Sequence, residues 1–223
     1  NEAFYHGKKF ENAGPGRKAS GLKVLKGPHG KFSNWAKSKL GVVFYKGKEM
    51  SNLMGQNVEL LGNGWVKAAH QTFYKGVQKR VVGSITVHGN DYATDQMDAY
   101  YKGEKMNLMG QASSFKVLGG DYAGSQSFAF YKGEKINGCT NPEKVLGKGY
   151  LKCFAKVFYN GESIQTCMNP KSLGHGYLQC EMKYYHNGEP MRLAIPGLNP
   201  LTVNKDGTAA DARGHKFVDG KVQ

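Results

Sequence analysis

Apolar positions in this chain do not follow a helical period. They come two to four at a time, broken by Gly, Asn and Lys, and the commonest cluster is an aromatic pair followed by a basic or amide residue and glycine. Short alternating runs punctuated this way predict strands joined by tight turns. The cluster recurs as Phe4-Tyr-His-Gly7, Phe44-Tyr-Lys-Gly47, Phe73-Tyr-Lys-Gly76, Tyr100-Tyr-Lys-Gly103, Phe130-Tyr-Lys-Gly133 and Phe158-Tyr-Asn-Gly161, with weaker copies at Tyr185-His-Asn-Gly188 and Phe217-Val-Asp-Gly220. The glycines are spaced 40, 29, 27, 30, 28, 27 and 32 residues apart. A second mark, as in Phe115-Lys-Val-Leu118 and Glu143-Lys-Val-Leu146, lies between them. A third, Trp65, Tyr92, Tyr122, Tyr150 and Tyr177, stands eleven residues before the turn glycine. Three marks in fixed order define an internal repeat.

Each part of the repeat has a physical reading. Phe-Tyr-Lys-Gly is the end of a strand and a two-residue turn, with Lys-Gly or Asn-Gly supplying the positive φ that such turns need. Adjacent aromatics on a strand point to opposite faces. A module of ~28 residues with two to four short strands cannot bury its own rings, but stacked neighbours can. The chain is therefore expected to be all-β: about seven β-hairpin repeats starting near 22, 58, 85, 113, 141, 168 and 199, after a half-module in 1–21 that ends in the basic connection Gly14–Lys18. The array is open and solenoid-like, or curled into a ring. True propeller blades take ~40 residues or more, so a hairpin array is preferred. No linker divides residues 1–223, which read as one domain. Trp65, Tyr92, Tyr122, Tyr150 and Tyr177 are expected to form the core between repeats, because core stacking places one ring at one fixed site per module. The duplicated segments Met50–Gln56 and Met106–Gln111 are expected to fill space between modules.

The module Phe115–Gly147 resembles the DKNYY repeat family, whose pattern runs from V-L-G through Y-A-x-D and Y-Y-x-G-K to A-D-P-x-S-F. The likeness covers roughly residues 58–190 and is clearest at Asp91-Tyr-Ala-Thr-Asp95 with Tyr100-Tyr-Lys-Gly103, and at Asn141-Pro-Glu-Lys-Val-Leu146. The mid-module Asp survives as Asp95; its counterparts are Ser125, Cys153 and Cys180. The resemblance implies a repeated β-hairpin protein and brings no catalytic residue, cofactor or ligand.

The four cysteines, Cys139, Cys153, Cys167 and Cys180, fall as equivalent pairs in adjacent modules. Their spacing is wrong for the close pairs of a zinc site. Either all four are buried thiols or they form two structural disulfides. Of the three connectivities, Cys139–Cys153 with Cys167–Cys180 gives both modules the same bridge. Bridging implies an oxidising compartment, extracellular or an organelle lumen. A chain numbered from Asn1 fits a processed N-terminus, and no Asn-x-Ser/Thr sequon occurs. No apolar run approaches the roughly 20 residues of a spanning helix, which leaves peripheral membrane association open.

Charge adds one functional clue. There are 31 basic against 17 acidic residues, a formal net charge of +14. Only Arg17, Arg80, Arg192 and Arg213 are arginine, and lysines recur at the turns as Lys46, Lys75, Lys102 and Lys132. Such rows protect sheet edges and attract anionic partners as point charges. The absence of arginine forks and of known nucleic-acid motifs argues against nucleic acid. The seven histidines are scattered; His175 and His186 share a module, and Asp91, Asp95 and Asp98 cluster in another, but no catalytic or metal motif is present. The expected function is non-enzymatic and cofactor-free: an interaction or structural repeat protein, such as an accessory subunit of a larger assembly, presenting its lysine face to an anionic polymer, glycan or protein subunit. The alternative is a secreted lectin-like protein with one shallow site per repeat.

Overall fold

The computed structural model describes residues 21–30, 32–106, 108, 112–192 and 200–223, with the backbone of 4–5 and 8–9. The connection Gly14–Lys18 and most of Asn107–Gln111 lie outside the described residues. The protein is all-β. Seven antiparallel sheets of four strands, each in chain order, begin at Lys23, Val58, Thr86, Lys116, Pro142, Pro170 and Thr202. Phe4–Tyr5 pairs with Lys8–Lys9 as a two-stranded ladder, the second half of a module.

One sheet shows how four strands fit into so short a repeat. Pro142–Gly147, Tyr150–Cys153, Lys156–Tyr159 and Glu162–Thr166 are four to six residues long. The first and last connections are two-residue turns, Lys148-Gly149 and Asn160-Gly161, with φ of 37° and 87°, then 49° and 90°. Positive φ at both central residues is the turn whose twist matches paired strands. Such turns leave nearly every residue for pairing, so the repeat is a full sheet rather than a single hairpin. A register shift between Val145 and Gly147 bulges the first strand before its turn.

The chain divides into two compact units, residues 1–96 with 102–105, and residues 97–101 with 106–223. The sequence carries no compositional break at this division. In the first unit one core lies between consecutive sheets: Trp35, Val43 and Leu53 from one side meet Val66, Ala68 and Phe73 from the other. Leu53 is the part of Met50–Gln56 that enters it. The second unit repeats this arrangement. Tyr122 and Ala129 pack against Leu151 and Phe158; Tyr150 and Val157 against Leu178 and Tyr185; Tyr177 and Tyr184 against Ala209 and Phe217. Strand alternation explains the division of labour. On the second strand the Tyr faces the following sheet and the next residue faces the preceding one.

The cysteines join as Cys139–Cys153 and Cys167–Cys180, with Cα atoms 5.3 Å and 5.7 Å apart. Each ties the segment entering a sheet to the end of that sheet's second strand. Among the described residues no helix is long and apolar enough to cross a membrane.

Candidate functional site

In the second to sixth sheets the first and last turns lie at one end, held together by a backbone bond, and in the first sheet the last turn bonds to Asn34 of the second strand. Lys46 N donates to Asn34 O at 2.8 Å, Lys75 N to Gly64 O at 2.8 Å, Lys102 N to Asp91 O at 2.9 Å and Lys132 N to Asp121 O at 3.1 Å. The four lysines sit at the same turn position with φ of 49°, 47°, 50° and 50°. All four are exposed. Three lean back over the ring before them, Lys46 Nζ at 5.7 Å from the Tyr45 centroid, Lys75 Nζ at 5.2 Å from Tyr74 and Lys132 Nζ at 5.1 Å from Tyr131. A hydrogen bond to Tyr74 and Coulomb attraction to its phenol oxygen raise the Lys75 ammonium above its ordinary pKa, so it stays charged. Lys132 also comes within 4.0 Å of Asp121. At this position later modules carry Asn160, Asn187 and Asp219, so the basic row does not continue.

The repeat tyrosines serve the fold. Tyr92, Tyr122, Tyr150 and Tyr177, like Trp65, are fully buried. In the second unit the Tyr122 and Tyr150 phenols each reach both turns of the following sheet, and the Tyr177 phenol reaches its last turn. Tyr122 Oη donates to Gly149 O at 2.7 Å and accepts from Gly161 N at 3.0 Å. Tyr150 Oη donates to Gly176 O at 3.1 Å and accepts from Gly188 N at 2.8 Å. Gly220 N donates to Tyr177 Oη at 3.3 Å. Burial pushes the Tyr150 phenol up to about 12 and raises that of Tyr122 further.

The first unit departs from this pattern. Trp35 and Trp65 hold the tyrosine position in its first two sheets: Trp35 pairs with Tyr45, and Trp65 with Tyr74. The indole carries no hydroxyl to reach the turns of the next sheet. An open groove of about 540 Å³ lies here, lined by Trp35, Tyr45, Lys46, Trp65, Lys75 and the turn Asn63-Gly64, with Asn34 and Ser33 beside them. Sequence reasoning missed Trp35, which stands twelve residues before Gly47 instead of eleven. The loop through Ser38, Lys39 and Leu40 accounts for the difference.

Other candidates separate. His186 packs on Tyr177 at 4.3 Å, whereas His175 forms the first turn of its sheet with φ of 47°. Asp91 and Asp95 flank the strand Tyr92–Thr94, Asp91 in a turn and Asp95 accepting from Val82 N at 2.8 Å, so they do not form a carboxylate pair. Among the described residues no three or more His, Cys, Asp or Glu gather to hold a metal ion.

Comparison with protein-family models, with curated proteins and with solved structures finds no match to this chain.

Proposed function

We propose that this protein is a non-enzymatic repeat scaffold, akin to the DKNYY type, that holds an anionic polymer or acidic partner through the turn lysines Lys46, Lys75 and Lys102 of its first unit. Its two disulfides suit extracellular or lumenal work. One observation carries the reading. Lysine in the left-handed region costs roughly 1–2 kcal/mol, whereas asparagine tolerates it, and later modules do place Asn160 and Asn187 there. Successive lysines at this position therefore accept a backbone cost that asparagine would reduce. A function for the charge accounts for it. The alternative of one sugar site per repeat has less support, because the tyrosines it would use are buried.

The test is binding to a sulfated polysaccharide across a salt titration, comparing the native chain with the triple variant Lys46→Asn, Lys75→Asn, Lys102→Asn. Asparagine fits the turn, so the fold is kept. Binding that weakens with salt and disappears in the variant supports the proposal. Unchanged affinity in the variant overturns it.

A further inference from the structure

We infer that Phe154, Met168 and Met182, at the disulfide-bonded end of two sheets in the second unit, form a docking tip that enters a lipid bilayer bearing anionic headgroups. The site is independent of the polymer-binding lysines. It is built on middle turns and an entering segment, whereas those lysines occupy last turns.

One residue carries the argument. Phe154 opens the turn between Tyr150–Cys153 and Lys156–Tyr159 with φ of 47°. A bulky side chain in the left-handed region is an outlier that costs backbone energy. Burial does not offset that cost, because Phe154 is 63% exposed. The next sheet repeats the feature. In its middle turn, Glu181-Met182, Met182 is 68% exposed, and Met168, on the segment entering that sheet, is 51% exposed. Two links bring these positions together. Cys167 N donates to Ala155 O at 2.6 Å, which sets Met168 beside the Phe154 turn. The bridge Cys167–Cys180, with Cα atoms 5.7 Å apart, sets the same segment beside the Glu181-Met182 turn. Cys139–Cys153 braces the strand end from which Phe154 departs. The tip is held in place before it meets a surface, so little ordering is lost on docking.

Shape and charge select the bilayer. The apolar groups stand on turns, the projecting parts of a sheet, and a fluid hydrocarbon boundary accepts such projections without a matching cavity. Lys156 and Lys183 directly follow the two turns, Lys171 lies on the entering strand, and all three are exposed. Against them stands Glu181; Glu143 is already paired with Lys152 at 2.9 Å. Exposed apolar tips rimmed by lysines match the hydrocarbon boundary and the anionic headgroups above it.

The full chain is mixed with vesicles of equal parts phosphatidylcholine and phosphatidylglycerol and floated on a density gradient, with pure phosphatidylcholine vesicles as the control. Flotation with the anionic vesicles and not with the control is expected. Phe154→Asn suits the left-handed turn, so the fold is kept, and it should weaken vesicle binding about tenfold. Lys156→Gln with Lys183→Gln should weaken it about thirtyfold. Phe154→Trp reports insertion directly. Its emission should shift to the blue and be quenched by brominated lipid, over a constant background from the buried Trp35 and Trp65. Absence of flotation, equal flotation with pure phosphatidylcholine, or unchanged binding in Phe154→Asn overturns the assignment. So does self-association that Phe154→Asn abolishes without any vesicle binding, which would give the tip to a second copy of the chain. The triple variant Lys46→Asn, Lys75→Asn, Lys102→Asn should lose the polymer and still float. Phe154→Asn should keep the polymer, so failure of either reading is seen separately.

Discussion

Gly103 lies beneath the ring of Tyr74: a β-carbon on that glycine would collide with Tyr74 Cδ1. The relation repeats along each unit, with Gly76 under Tyr45, Gly133 under Tyr101, Gly188 under Tyr159 and Gly220 under His186. At Gly76, Gly103, Gly133, Gly188 and Gly220 the turn glycine thus answers two demands, a positive φ and a contact that leaves no room for a side chain. The ring that enforces the second belongs to the preceding module.

Gly103→Ala and Gly174→Ala separate these demands. Both positions have positive φ, 78° and 90°, but nothing lies within 4 Å of a β-carbon at Gly174. Gly174→Ala is expected to cost roughly 1–2 kcal/mol of backbone strain. Gly103→Ala should cost about 1–3 kcal/mol more through overpacking against Tyr74. Urea unfolding of the two variants measures the difference, and equal losses would refute the ring contact.

Tyr150→Phe removes a hydroxyl that joins two turns of the next sheet. Leaving those buried groups without it should cost about 1–3 kcal/mol. The same phenol makes the fold sensitive to alkali. Its pKa rises from 10.0 unfolded to about 12 folded, so its contribution is complete below pH 10 and is lost as pH climbs towards 12. Stability measured across that window should fall less steeply in Tyr150→Phe than in the native chain.

Asp95 and the disulfides do one job. Cys153 and Cys180 end the second strand of their sheets and Asp95 directly follows the second strand of its own, and each holds the segment that enters the sheet. Val82 and Asp95 are separated in sequence by the same interval, 13, as Cys167 and Cys180. The double variant Val82→Cys, Asp95→Cys should therefore close a third bridge on oxidation. Alkylation followed by intact-mass measurement reads it; two free thiols under oxidising conditions would show that the equivalence fails. Conversely, removing Cys139–Cys153 with serine should cost about 2–4 kcal/mol.

Polymer binding should show counterion release. Each turn lysine replaced by asparagine is expected to flatten the plot of log affinity against log salt by about 1. A slope that stays constant through Lys46→Asn and Lys75→Asn would place the contact elsewhere.

Much of the architecture was legible in the residues. Aromatic pairs, turn glycines and Val-Leu-Gly segments mark strands by local chemistry, so sheet starts at Val58, Thr86, Pro142 and Pro170 fall within two residues of expectation. Cystine pairing was legible because duplicated cysteines announce equivalence. The shared role of Asp95 was not, since a carboxylate accepting from Val82 N looks nothing like a cysteine pair. Trp35 was hidden for a related reason. It breaks the eleven-residue rule by one, and an indole at a tyrosine position matters only once the next module's turns are seen to lie within a phenol's reach. Lysine's left-handed backbone was equally silent, because a Lys-Gly turn is read from its glycine.

The bridging phenols give the repeats a polarity. Tyr122 and Tyr150 act as pegs for a socket that opens only on the following module. In the last sheet Thr208 stands where those tyrosines stand, and its hydroxyl bonds Asp206 of its own turn at 2.7 Å. A module grafted after it would meet no peg. One grafted between Tyr150 and Tyr177, carrying its own tyrosine and its own glycine turns, would be accepted on both sides, so the second unit can be lengthened from within.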